Sequence, residues 1–244
     1  MKKNQLPSIM KLNVNIDLDK LRKNCDILHG QDKFVDVRTA NPGLCMNHED
    51  LVKDVYDNFE QINLTTPSEV LPHTASIKER LRRREEHLYN VPTDDYKYSY
   101  IESVVTQCKA PASRIRITKL APGKTIPFHV DYDVCYAVRC IVPIYGDNNT
   151  VNLFRRGGKL EAYNLKCGNA YFLNIGFPHA VVNMSDKPRI AICVSGQTRH
   201  FNENPQYIDD LNSILELFDE FEYDLYGHTW ADQEDPKQEV LDRF

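Results

Sequence analysis

Residues 113–145 read SRIRITKLAPGKTIPFHVDYDVCYAVRCIVPIY. Short runs rich in β-branched and aromatic residues, RIRITKL, TIPFHVD and CYAVRCIVPI, alternate with turn chemistry at Pro122-Gly123 and at Gly146-Asp147-Asn148-Asn149. That is the pattern of strands, not helices. The texture continues to residue 199. TVNLFRR leads into Gly157-Gly158, KLEAYNL into Cys167-Gly168-Asn169, AYFLNI into Gly176-Phe177-Pro178, and HAVVNM into Ser185-Asp186-Lys187-Pro188 before RIAICVSG closes the series. Eight closely spaced short strands with no helical pattern between them predict an all-β sandwich or jelly roll and exclude a βαβ sheet.

Working outward, residues 1–100 form a mixed α/β region. LDKLRKNCDILHG predicts a helix ending at Gly30, HEDLVKDVYDNFEQI a second and SIKERLRRREEHLYN a third, with FVDVRT between the first two as a short strand. YKYSYIESV alternates Tyr96, Tyr98 and Tyr100 on one face, as a strand does. Beyond residue 199 the chain is polar and acidic, with a helical pattern in YIDDLNSILELFDEFEYDLY. A length of 244 residues suits one domain spanning 1–244, with a core at 101–199 and a helical acidic extension at 200–244.

Composition narrows the function classes. Hydrophobic residues make up 41% and charged residues 27%, ordinary for a folded soluble chain, and no apolar run reaches the roughly 20 residues of a membrane helix. The N-terminal MKKNQLPSIMKLNVNID has no apolar signal core, so a cytoplasmic location is expected. Seven cysteines without a CxxC spacing point to free thiols. A net charge of −5 argues against nucleic acid, and the basic run IKERLRRREEH mixes Arg80, Arg82, Arg83 and Arg84 with Glu79, Glu85 and Glu86, as a solvated helix face does.

Within the strand series, His129 and Asp131 stand two apart and project from one face of their strand, where both can grip one ion. The same spacing at His48 and Asp50 is an internal control. There it sits at the start of the capped amphipathic pattern NHEDLVKDVYDNF and reads as helix-start chemistry. What distinguishes His129-Asp131 is His179, which opens a later strand after a Phe-Pro turn. Two histidines and a carboxylate are the metal-binding set of non-haem Fe(II) oxygenases. Arg189 follows His179 by ten residues; were 179–184 and 189–194 a hairpin, it would lie roughly 17 Å along the sheet from the His179 end. A guanidinium there suits the far carboxylate of a keto acid. Ser195 shares the Arg189 face but sits at the other end of its strand and is the weaker candidate.

The set resembles the Fe(II)/2-oxoglutarate-dependent dioxygenases, and within them the aspartyl/asparaginyl/proline hydroxylase-like group. The likeness covers residues 113–197: SRIRITKLAPGKTIPFHVDYD, a strand carrying an arginine, and GNAYFLNIGFPHAVVNMSDKPRIAICV. It implies a double-stranded β-helix, a cupin-like jelly roll. It also implies that His129, Asp131 and His179 bind Fe(II), that Arg189 binds 2-oxoglutarate, and that Arg139 binds co-substrate or a substrate carboxylate. The implied reaction consumes O2 and 2-oxoglutarate, releases succinate and CO2, and hydroxylates an amino acid, free or peptidyl, of the Pro, Asp or Asn kind. Asp131 matches the proline-hydroxylase side of the group, whose halogenating relatives leave that position to a small residue. The group's Arg-x-His pair is broken, because Ile141 follows Arg139 by two. Two other classes stay open: a metal-binding cupin without oxygenase activity, which has no need of Arg189, and an inactive jelly-roll binding module, which has no metal affinity.

Other residues read more plainly. Arg155-Arg156 precede Gly157-Gly158 and suit an exposed turn or a clamp on a substrate carboxylate; Arg139, in an apolar strand, needs an anionic partner of some kind. Tyr96, Tyr98 and Tyr100 suit sheet packing, and Asn174 a turn role or a hydrogen bond within the site. His200, His228 and Trp230 carry no pattern.

Overall fold

Glycine and proline punctuation fixes where the chain reverses, and all eight strands form between those points. In a computed structural model that describes residues 6–40, 58–72, 75, 83, 85–108, 111–131, 134 and 137–197, the elements before the strand series are β1 (Ile9–Leu12), α1 (Leu18–Gly30), β2 (Val35–Asp36), α2 (Val37–Ala40), β3 (Phe59–Asn63), β4 (Thr65–Thr66), α3 (Glu85–Leu88), β5 (Val91–Pro92) and α4 (Tyr100–Val105). The series itself is β6 (Ala112–Leu120), β7 (Thr125–His129), β8 (Ala137–Tyr145), β9 (Thr150–Arg156), β10 (Lys159–Tyr163), β11 (Ala170–Leu173), β12 (His179–Asn183) and β13 (Arg189–Gln197). Two antiparallel sheets result, ordered β1-β11-β8-β13-β6-β3-β2 and β10-β9-β12-β7. Phe154 of the smaller sheet packs with Ile141, Leu173, Ala191 and Cys193 of the larger, which makes the molecule a mainly β jelly roll with one interior between its sheets.

Strand β8 is buried on both faces. Arg139 and Ile141 face the interior, while Val142 and Ile144 pack outward on Leu21, Cys25 and Leu28, one stripe of α1. Asp17 caps α1 by accepting from the Lys20 backbone N–H at 3.1 Å. Gly168, with φ 77, turns the chain so close to α1 that a Cβ there would meet Leu18 Cβ at 3.2 Å. Among the described residues no helix is long and apolar enough to cross a membrane.

Four expectations are corrected. Strands β12 and β13 do not form a hairpin: β12 pairs with β7 and β9, whereas β13 pairs with β6 and β8 in the other sheet. The Ser185–Pro188 turn carries the chain across the sandwich, so His179 and Arg189 approach the interior from opposite sheets. Phe59–Asn63, the end of the second expected helix, is a strand whose backbone pairs with β2 and β6 and whose Gln61 and Ile62 are buried. The remainder of that helix, with His48 and Asp50, lies outside the described residues. Tyr96, Tyr98 and Tyr100 share no face: Tyr96 is buried, Tyr98 is 97% exposed at φ 61, and Tyr100 begins α4 behind the Ser99 cap. FVDVRT pairs only over Val35–Asp36 before turning into α2. The described part of the third expected helix is α3, and the 200–244 extension, with His200, His228 and Trp230, lies outside the described residues.

Candidate metal centre

His129 ends β7 and His179 opens β12, and antiparallel pairing sets them directly opposite, with ring centroids 4.2 Å apart. On its other side His179 lies opposite Phe154 of β9, the rings stacked at 5.7 Å. Asp131 follows β7, and its backbone N–H donates to the Ile175 carbonyl at 3.2 Å, which ties it to the turn delivering His179. The backbone carbonyl of Asn174, a fully buried residue, accepts from the Phe177 backbone N–H at 3.2 Å, a turn contact that precedes His179.

The result is one donor set. Ligand atoms of His129, Asp131 and His179 all lie within 4.8 Å of one another. His129 Nδ1–H donates to the Pro127 carbonyl at 2.8 Å and His179 Nδ1–H to the Phe177 carbonyl at 3.0 Å. This tautomer leaves each Nε2 lone pair for a metal. Asp131 Oδ1 faces the His129 Nε2 at 3.6 Å, while Arg139 Nη2 donates to Oδ2 at 3.1 Å. Burial pushes the His179 imidazole down to about 4, with His129 adding to the effect, so it is neutral at pH 7. Burial works to raise the Asp131 carboxyl, but Arg139, His129 and His179 together hold it below the usual carboxylate range. Two imidazoles with Nε2 free of the backbone and one carboxylate fit a divalent first-row metal such as Fe(II).

Arg189 opens β13 and is 3% exposed, with no hydrogen-bond partner for Nη2 and no ion pair among the described residues. It lies in a cleft walled by Tyr145, Asp147, Thr150, Asn152 and Leu165. The inner face of β9 links that cleft to the histidines: Phe154 lies opposite His179, and Asn152 and Thr150 follow two and four residues back. The separation by strand rise is therefore about 7 to 13 Å, shorter than a hairpin register implies.

Arg139, 6% exposed, joins the donor set to a group that charge pattern alone had assigned to solvent. Its Nη2 lies 3.2 Å from Oε1 of Glu86, which is fully buried on α3. Ser195 Oγ–H donates to the same Oε1 at 2.6 Å, and Arg114 pairs with Oε2. Arg114 reaches it because β6 carries one extra residue opposite Cys193–Ser195, with Arg114 at φ 45, a β-bulge that redirects the side chain. Burial would raise the Glu86 carboxyl, yet Arg114, Arg139 and Arg116 outweigh it and hold the group far below 4.5. Arg155 and Arg156 lie over the rings of Phe128 and Phe177 at 4.2 and 5.3 Å.

Residues 73–198 match the aspartyl/asparaginyl beta-hydroxylase family. A search of curated proteins finds no match. Among solved structures, the chain is similar to a Trichoplax adhaerens prolyl hydroxylase in complex with a hypoxia inducible factor oxygen degradation domain peptide, at 11% identity over 88% of this chain and 90% of that one, TM-score 0.48. A Pseudomonas putida prolyl-4-hydroxylase aligns at 12% identity over 79% of this chain and 94% of that one, TM-score 0.44. An oxalate oxidase in complex with glycolate aligns at 17% identity over 36% of this chain, TM-score 0.30, and the match spans only 43% of its length.

Proposed function

The chain belongs to the aspartyl/asparaginyl beta-hydroxylase family, and from that premise we propose that it is a 2-oxoglutarate-dependent Fe(II) dioxygenase hydroxylating an aliphatic C–H of an amino acid or of a Pro-, Asp- or Asn-like peptidyl side chain. One observation carries the reading: three side chains from two segments far apart in sequence converge to within 4.8 Å where two strands pair. His129, Asp131 and His179 hold the iron, and Arg189 holds the far carboxylate of 2-oxoglutarate. When bound, iron and 2-oxoglutarate supply O2 activation, with release of succinate and CO2.

The chain's own residues do the rest. The Pro127 and Phe177 carbonyls keep the imidazoles turned with Nε2 inward. Phe154, Ile141, Leu173 and Phe177 form an apolar cluster beside His179, and the burial of Arg189 strengthens the hold of its guanidinium on a carboxylate. Arg139 stays with its two carboxylates and orients Asp131. A role for Arg139 on a substrate carboxylate rests on Nη1, which is buried without a hydrogen-bond partner.

Anaerobic visible titration with Fe(II), then with 2-oxoglutarate, tests the assignment. A charge-transfer band requiring both additions, absent in His179→Ala and demanding far more 2-oxoglutarate in Arg189→Ala, is the expected result. Iron binding without the band overturns the 2-oxoglutarate role, and no iron binding overturns the metal centre.

A further inference from the structure

Asp131 lies beyond the end of β7, with its side chain 30% exposed, so strand pairing alone does not fix its carboxylate. What fixes it is a chain of contacts running out of the jelly roll. Oδ2 of Asp131 accepts from Arg139 Nη2 at 3.1 Å, and the same nitrogen lies 3.2 Å from Glu86 Oε1. Glu86 is itself held by the Ser195 hydroxyl at 2.6 Å and by Arg114, with no surface exposed. One guanidinium nitrogen is thus shared between a candidate metal ligand and a buried anion contributed by α3.

We propose that Glu86 is a positioning residue of the metal centre, acting through Arg139 to present Asp131 Oδ1 to the cation. The inference rests on the reading that His129, Asp131 and His179 hold a metal. An arginine facing a single carboxylate prefers the bidentate fork, which engages both oxygens. Glu86 faces the second N–H of Arg139 Nη2 and so holds the guanidinium in an orientation in which Asp131 gives up only Oδ2 to it and keeps Oδ1 facing His129. Without the Glu86 charge, Arg139 closes on both oxygens of Asp131 and competes with the metal for Oδ1. Contacts of this kind, one shell out from the metal, typically change metal affinity about 10- to 100-fold. A merely structural Glu86 would support the fold of α3 against β6 and β13 and leave metal affinity alone.

The test is anaerobic titration with Co(II), read by its visible d–d absorption, on wild type, Glu86→Gln, Asp131→Ala, the double variant and His179→Ala, with circular dichroism confirming the fold. Glu86→Gln is expected to weaken Co(II) binding about 10-fold or more and to alter the d–d band. In the Asp131→Ala background the same substitution is expected to change nothing further, because its route to the metal is gone. Wild-type affinity in Glu86→Gln, or an equal loss in the Asp131→Ala background, overturns the proposal while leaving the metal centre standing. Wild-type binding no tighter than that of His179→Ala overturns the metal reading and this inference with it. Should Glu86→Gln not fold, Ser195→Ala decides in its place: a severalfold loss supports the relay, and unchanged affinity overturns it.

Discussion

Two arginines are buried in one interior and treated in opposite ways. Arg139 lies between Glu86 and Asp131, and these two acids reverse the effect of burial and raise its pKa. Arg189, buried to the same degree, has no acid within ion-pair distance among the described residues, and burial lowers its pKa. Removing a guanidinium from water costs several kcal/mol. At Arg139 the fold offsets that cost itself; at Arg189 no acid among the described residues does so. In the proposed reading the satisfied charge belongs to the framework and the unsatisfied one is reserved for the 2-oxoglutarate carboxylate.

The largest break in this contrast is Glu86→Ala. It strands Arg114 and Arg139 with one carboxylate fewer, and the expected loss is about 3 to 5 kcal/mol in urea unfolding of the metal-free protein. The pH dependence follows in sign. The folded pKa of Glu86 lies below its ordinary value of 4.5, so its contribution is complete above about that pH and is lost as pH falls toward the folded value. Stability measured from pH 6 downward should fall in wild type, and that acid limb should be shallower in Glu86→Gln. An identical slope in both would show that Glu86 is not ionised in the fold.

Arg189→Met should behave in the reverse way. No ion pair is broken and an unsatisfied cation is removed, so metal-free stability should hold or rise. Affinity for 2-oxoglutarate should nevertheless drop about 10- to 100-fold, the worth of a charge-assisted hydrogen bond of roughly 1.5 to 3 kcal/mol. Calorimetric titration with 2-oxoglutarate beside a urea curve measures both. A variant that unfolds easily would mean that Arg189 has a partner in the fold, and the contrast would collapse.

These two ends of the interior were not equally legible in the sequence. The succession of strands was, because turn residues punctuate 112–197, and so was the meeting of His129, Asp131 and His179, which spacing and context single out. Glu86 was not, since in IKERLRRREEH it is one acid among many charges. Its partners Arg114 and Ser195 lie 28 and 109 residues further on, and no periodicity in the run reports them. The apposition of β12 and β13 failed for a related reason: a turn such as Ser185–Pro188 reads alike whether its strands pair or change sheets. The tyrosine alternation failed because period 2 also fits a turn, and Tyr98 at φ 61 is in one.

The smallest expected effect sharpens the contrast from the paired end. Ser195→Ala removes only the hydroxyl that donates to Glu86 Oε1 at 2.6 Å and leaves both arginines in place. A hydrogen bond to a buried carboxylate is worth about 1.5 kcal/mol at the lower end of its range, so the variant should lose about that much in urea unfolding. In a Glu86→Gln background the loss should shrink, because a neutral amide is a weaker acceptor than the anion. Equal losses in both backgrounds would mean that the hydroxyl acts through packing on β13, and that the strength of the paired end resides in the Glu86–Arg114 and Glu86–Arg139 contacts alone.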